Sequence, residues 1–227
     1  PLSARWIGSA FGQCSARTQV ELYALWGGIP RYWELAVGLG LDIESAVDAL
    51  VLDPMGPLHE EADRLLQEEL PPAVALRPLL ELIGGGVHRL SEMSARLEQP
   101  ATSLSRPLKR LVDLDLVVRE HPWGEEPRES RRTLYKIADP FLRMWFSVVA
   151  PNRSLLAEAP APIRMAVWRK RRQNLEAQAW EELVRRAVPR LHTVHPAAAS
   201  LGPCMPARRY RSAEHKSELQ SPHTISY

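Results

Sequence analysis

Between positions 74 and 137 the apolar residues recur first at helical spacing and then at strand spacing. Leu76, Leu79, Leu80 and Ile83 share one face of a helix predicted over Val74–Ile83, which Gly84-Gly85-Gly86 stops. Leu90, Met93 and Leu97 give a second, shorter stripe. Pro100-Ala101-Thr102 turns the chain, and Leu104, Leu108, Leu111 and Val112 line a third helix. Leu116–His121 then reads as a strand and Pro122-Trp123-Gly124 with a charged stretch as a loop; Thr133, Tyr135 and Ile137 alternate as a returning strand. Three helices and a β-ribbon predict a winged helix-turn-helix, a motif whose third helix enters the major groove of DNA.

The flanking segments read as helical. Val20–Leu25 is a short apolar run broken by Gly27-Gly28-Ile29-Pro30, and Arg31–Val37 and Glu44–Leu52 have helical patterns. Asp53-Pro54-Met55-Gly56-Pro57 is a turn cluster, Leu58–Leu70 an acidic amphipathic helix, and Pro71-Pro72 a boundary. Phe141, Leu142, Trp145 and Val149, with Phe146 at the edge, form an apolar stripe of the kind that packs into a core. Pro151-Asn152 ends it. Ile163–Leu191 is a long arginine-rich helical region whose apolar face is expected at Trp180, Leu183, Val184 and Val188. After Pro196 the periodicity dissolves. The fold class expected is mainly α with a small β-ribbon.

The 227 residues suggest one to two domains, and an apolar fraction of 45% with 25% charged residues is ordinary for a soluble globular protein. With no apolar run of membrane-spanning length and no basic-apolar leader, the expected location is cytoplasmic. Cys14 and Cys204 read as free thiols of a reducing compartment. A net charge of +2 hides an asymmetry. Residues 40–72 hold nine acids against Arg64 alone, whereas residues 141–195 hold ten Lys and Arg against four glutamates. Such halves face different partners, face each other, or are solvated helix faces.

Sequence motifs for catalysis are few. No glycine precedes a lysine, so the G-x-x-x-x-G-K-S/T phosphate loop is missing, and there is no G-x-S-x-G elbow. His192 and His195 lack a third nearby ligand for a metal. Glu214-His215-Lys216 fits an E-x-K nuclease pattern by letter only. No catalytic, metal or cofactor-binding residue is assigned.

Four stretches in order carry a resemblance. They are Leu22-Tyr23-Ala24-Leu25-Trp26-Gly27-Gly28-Ile29-Pro30-Arg31-Tyr32, Ala101–Arg106 followed by Leu108, Leu134–Phe146 with its Asp139-Pro140-Phe141-Leu142-Arg143 centre, and Pro151-Asn152-Arg153-Ser154. Together they resemble the archaeal-type P-loop (AAA-like) ATPases that end in a restriction-endonuclease-like domain of unknown function. The resemblance implies an internal fragment of such a protein. Residues 1–72 would be the C-terminal part of the ATPase helical lid, 73–138 the winged helix-turn-helix, and 139–210 the truncated N-terminal part of the nuclease-like domain. ATP and Mg are implied for full-length relatives but not for this fragment, whose expected partners are the missing ATPase core and the remainder of the nuclease-like domain. Trp180-Glu181-Glu182-Leu183-Val184-Arg185 resembles the first helix of that domain. Arg211–Ser221 resembles the translation of a sequencing-library adapter, so residues 211–227 read as a non-native or disordered tail.

Duplex DNA is the candidate partner of the winged helix. Thr102, Ser103, Ser105, Arg106, Lys109 and Arg110 lie off the leucine stripe as phosphate and base-edge donors, and Arg128, Arg131 and Arg132 sit on the wing. Residues 84–137 nevertheless hold ten Lys and Arg against eight acids, a weak field for a DNA reader. The alternative is a purely structural interaction module without nucleic-acid binding. Pro107 is tolerated if Thr102 or Ser103 caps the third helix, and kinks it otherwise. Gly27-Gly28 forms either a tight helix–helix turn or, with Arg31, a nucleotide-sensing element.

Overall fold

Helices and one two-stranded antiparallel sheet make up the computed structural model, which describes residues 3–40, 42–69, 76–121, 133–202, 204–205 and 207. The first segment holds α1 (Ile7–Ala10), α2 (Ala16–Trp26), α3 (Pro30–Val37), α4 (Ile43–Val47) and α5 (Glu61–Glu69). Ser15 caps α2 by accepting from the Thr18 N–H at 3.1 Å, and Asp42 caps α4 by accepting from the Ser45 N–H at 3.2 Å. A π turn, Asp48–Leu52, extends α4 and buries Leu50, Val51 and Leu52. The run read as one helix over Leu58–Leu70 is helical only from Glu61, with Leu58 buried in the preceding turn.

Next come α6 (Arg77–Gly84), α7 (Leu90–Leu97) and α8 (Ala101–Asp113), then β1 (Val117–Glu120) and β2 (Leu134–Ile137). The strands pair Val117 with Ile137 and Glu120 with Leu134. Val117, Tyr135 and Ile137 are buried, as the alternation requires. Residues 122–132, and with them Arg128, Arg131 and Arg132, lie outside the described residues, as do residues 70–75 and the tail 211–227 with Glu214 and Lys216.

Asp139 opens α9 (Pro140–Met144) by accepting from the Leu142 N–H at 2.9 Å, and Pro140 follows at the first helical position. A π turn, Trp145–Val149, carries on from α9. Phe141, Leu142, Trp145, Phe146 and Val149 are all buried, as their spacing predicts. The chain continues through α10 (Arg153–Glu158), α11 (Ala161–Ala187) and α12 (Leu191–Val194).

The face that α11 buries differs from the one expected. Met165, Trp168, Leu175 and Ala179 point inward and Leu183 packs, partly buried, against the same core, while Trp180 is 58% exposed and Val184 is exposed. A helix of 27 residues carries two apolar stripes, and contact with α2 selects between them. Trp168 and Leu175 line a small cavity together with Ala24 and Leu25 of α2. Residues from the first and last segments therefore share one core with those of α6–β2.

Charge patterning reinforces this docking, because the two unbalanced halves face each other. Arg164 pairs with Asp48 at 2.8 Å and Asp53 at 3.0 Å, Arg172 pairs with Glu21 at 3.1 Å, and Arg169 pairs with Glu44. Arg153 reaches Glu60 at 2.6 Å and also Asp63. Each exposed pair contributes little singly, so the apolar core carries most of the docking energy.

Candidate nucleic-acid interface

The joint between α7 and α8 is a tight turn built without glycine. Glu98 ends α7 in the left-handed region at φ 52°, and Gln99 N–H donates to the Ser94 carbonyl at 3.2 Å. Ser94 Oγ also donates to the Gln99 carbonyl at 2.6 Å. Pro100 is the extended N-cap of α8, so the turn is Glu98–Pro100, two residues earlier than the sequence suggests. Leu104, Leu108 and Leu111 are buried on the inner face. Thr102, Ser103, Ser105, Arg106, Lys109 and Arg110 are all exposed on the outer one.

Their donors are not equally available. Ser103 Oγ donates to the Pro100 carbonyl at 2.7 Å and Ser105 Oγ to the Ala101 carbonyl at 2.9 Å, so both hydroxyl protons are committed to the backbone. Lys109 pairs with Asp113 one turn on at 2.5 Å, and Arg110 engages another group of the chain. Arg106 has no ion-pair or hydrogen-bond partner among the described residues, and the same is true of Arg89, which precedes α7, and of Arg96 in its last turn.

Neither Thr102 nor Ser103 caps α8, so of the two cases open for Pro107 the interior one holds. With Ala101 first in the helix, Pro107 lies in the interior, and the Ser103 carbonyl loses its usual N–H donor. The helix nevertheless runs on to Asp113, its leucine stripe holding both halves against the same core.

The β-ribbon is anchored on both sides. Tyr135 N–H donates to the His88 carbonyl at 2.9 Å, and His88 Nδ1–H donates back to the Tyr135 carbonyl at 3.0 Å, so the segment before α7 pairs with β2. On the other side Glu120 bonds Arg185 of α11 at 2.7 Å and Lys136 at 2.9 Å. Burial opposes ionisation of Glu120, but these two cations hold its carboxyl below the usual range.

Two of the four stretches that carried the family resemblance, 22–32 and 134–146, converge on one another. Tyr23 Oη donates to Glu182 at 2.9 Å, and Glu182 also accepts from Arg143 at 2.9 Å. The Arg143 guanidinium bonds the Ile137 carbonyl at 3.1 Å as well, tying the end of β2 to α2 and α11. Gly27 adopts φ 55°, and a Cβ there would lie 3.1 Å from Asp139 Oδ2 and from Pro140 Cδ. Trp33 Nε1 donates to the Gly27 carbonyl at 3.0 Å. Gly27-Gly28 is thus a helix–helix turn seated on the Asp139-Pro140 cap. Burial raises the Asp139 carboxyl above its ordinary range, despite the Leu142 N–H and Arg143.

The sequence pointed to α8 but not to this clamp of Tyr23, Arg143, Glu182, Glu120 and Arg185. Charge asymmetry was the available signal, and it does not say which acid meets which arginine. Among the described residues no three His, Cys, Asp or Glu side chains are grouped to hold a metal ion, and no helix is long and apolar enough to cross a membrane.

No family model matches the chain, and no solved structure matches it. It is 27% identical over 158 residues to a protein of Methanocaldococcus jannaschii described as uncharacterized. The match covers 70% of this chain but 35% of that relative, so the chain spans about a third of the archaeal protein's length.

Proposed function

We propose that α6–α8 and the ribbon form a winged helix-turn-helix that binds duplex DNA through the outer face of α8, within a larger AAA-like ATP-binding protein. The observation that supports this most is a contrast in charge. The arginines at positions 153, 164, 169 and 172 are neutralised by acids of the first segment, whereas Arg106 stands exposed on α8 without a partner among the described residues. Arg89 and Arg96, at the two ends of α7, are also exposed. The order helix, paired segment, helix, turn, helix, ribbon supports the winged reading, with His88 taking the place of the first sheet partner. The larger protein rests on the family resemblance and on the greater length of the archaeal relative. ATP and Mg belong to that larger protein and have no assigned residues here.

A second reading has its own support. The Glu120–Arg185 and Arg143–Glu182 pairs fasten the ribbon to α11, which suits a rigid spacer between an ATPase lid and a C-terminal domain. Fluorescence anisotropy with a labelled duplex at several salt concentrations separates the two. DNA binding predicts retention that falls with salt and weakens in Arg106→Ala; the spacer predicts neither.

A further inference from the structure

A cleft of about 50 Å³ opens where the Gly84–Gly86 bend, β2 and α11 meet. Arg171, Asn174 and Gln178 line it from α11, Lys136 from β2, and His88 from the segment before α7. No carboxylate is among its described lining residues, although Glu120, Glu181 and Glu182 line the adjoining cleft on the other side of Lys136. We propose that this cleft, with no carboxylate among its described lining residues, binds a phosphoryl group held by Arg171 and Asn174, with His88 as a third donor once its ring is protonated.

Several features converge on an oxyanion. Arg171 is exposed, with no ion-pair partner among the described residues, while Lys136 is drawn to Glu120 and Arg143 to Glu182. Gln178 Nε2 donates to Asn174 Oδ1 at 2.9 Å, which orients the Asn174 amide and leaves its own N–H groups free to donate. His88 Nδ1–H is fixed on the Tyr135 carbonyl, so Nε2 is the ring atom left to meet a ligand, and it donates to an oxyanion only when the ring is protonated. Burial lowers the His88 pKa against the opposing hydrogen bond to the Tyr135 carbonyl; the nearby Lys136 adds to the lowering, and Glu92 and Glu120 oppose it to a smaller extent. An incoming anion would offset that positive field. A Cβ at Gly86, where φ is 99°, would meet nothing within 4 Å, so the bend leaves one wall open. The volume holds roughly four water-sized groups, the scale of a tetrahedral oxyanion.

The test is a titration of the full chain with inorganic phosphate at constant ionic strength. It is followed by NMR of the Asn174 and Gln178 side-chain amides and the His88 ring. Saturable movement of these signals is expected, with affinity about tenfold weaker in Arg171→Ala, as for loss of a charge-assisted hydrogen bond. Arg171 is exposed, so the variant should melt like the parent without phosphate. A short duplex in place of phosphate identifies the source. If it moves the same signals, the group is a backbone phosphate; if only free phosphate moves them, the ligand is a small phosphorylated molecule. Absence of saturable movement with phosphate, or equal affinity in Arg171→Ala, overturns the site. Either failure leaves Arg106-dependent DNA binding untouched, so the two proposals are judged separately.

Discussion

Trp145 Nε1 donates to the His59 carbonyl at 2.7 Å, joining the stretch after the ribbon to the turn before α5. The indole is fully buried, with the Arg153 guanidinium 5.2 Å and the Arg77 guanidinium 5.9 Å from its centroid. Both arginines also bind Asp63, so one aromatic ring and one carboxylate hold three segments together.

Trp145→Ala should therefore destabilise the chain by about 3–5 kcal/mol, the usual scale for truncating a large buried aromatic. Trp145→Phe keeps most of the apolar area but strands the His59 carbonyl, for about 1–3 kcal/mol. Urea unfolding monitored by circular dichroism gives both values. Equal stability of parent and alanine variant would mean that the indole is not the joint described.

Gly84 faces Phe146 so closely that an added Cβ would lie 2.5 Å from Phe146 Cβ and 2.8 Å from its backbone. Gly84→Ala should lower stability by more than about 1 kcal/mol, because the Phe146 main chain cannot move aside cheaply. Gly86→Ala, at φ 99° but in open space, should cost about 1–2 kcal/mol from backbone strain alone. Melting temperatures of the two variants check this. A silent Gly84→Ala would contradict the contact between α6 and the π turn.

His88 gives a pH dependence with a definite sign. Its folded-state pKa lies below the ordinary 6.5, first through burial and also through Lys136. Neutral His88 is thus favoured by folding, and its contribution is fully present above about pH 6.5. Stability should fall as pH drops from there through the folded-state value. His88→Asn, which can still bond the Tyr135 carbonyl, should flatten the slope between about pH 7 and 5. Unfolding free energies across that range decide the matter; identical slopes in both proteins would remove His88 as the cause.

Much of this architecture was legible locally, because period and burial coincide wherever an element has one apolar face. The Leu104–Leu108–Leu111 stripe and the Tyr135–Ile137 alternation are of that kind. Reading failed where tertiary contact chose among local options. The long α11 offered Trp180 and Val184 as plausibly as Trp168 and Leu175, and only α2 decides between them. Pro107 gave no warning of its interior position, because Thr102 and Ser103 are good caps by composition, yet Pro100 holds the cap position. At the candidate interface the exposed face of α8 was readable. The engagement of Ser103, Ser105 and Lys109 by nearby groups, which leaves Arg106 as the prominent donor, needed coordinates.

The decisive observation is the salt dependence of duplex binding for the parent, Arg106→Ala and Lys109→Ala. If α8 contacts phosphates, the log–log slope should become shallower by about 1 in Arg106→Ala, with weaker binding at every salt concentration. Lys109→Ala should change it less, because Lys109 is already paired with Asp113. A parent that binds duplex with the same affinity and slope as Arg106→Ala, or does not bind at all, would contradict the DNA-binding account and leave the rigid spacer.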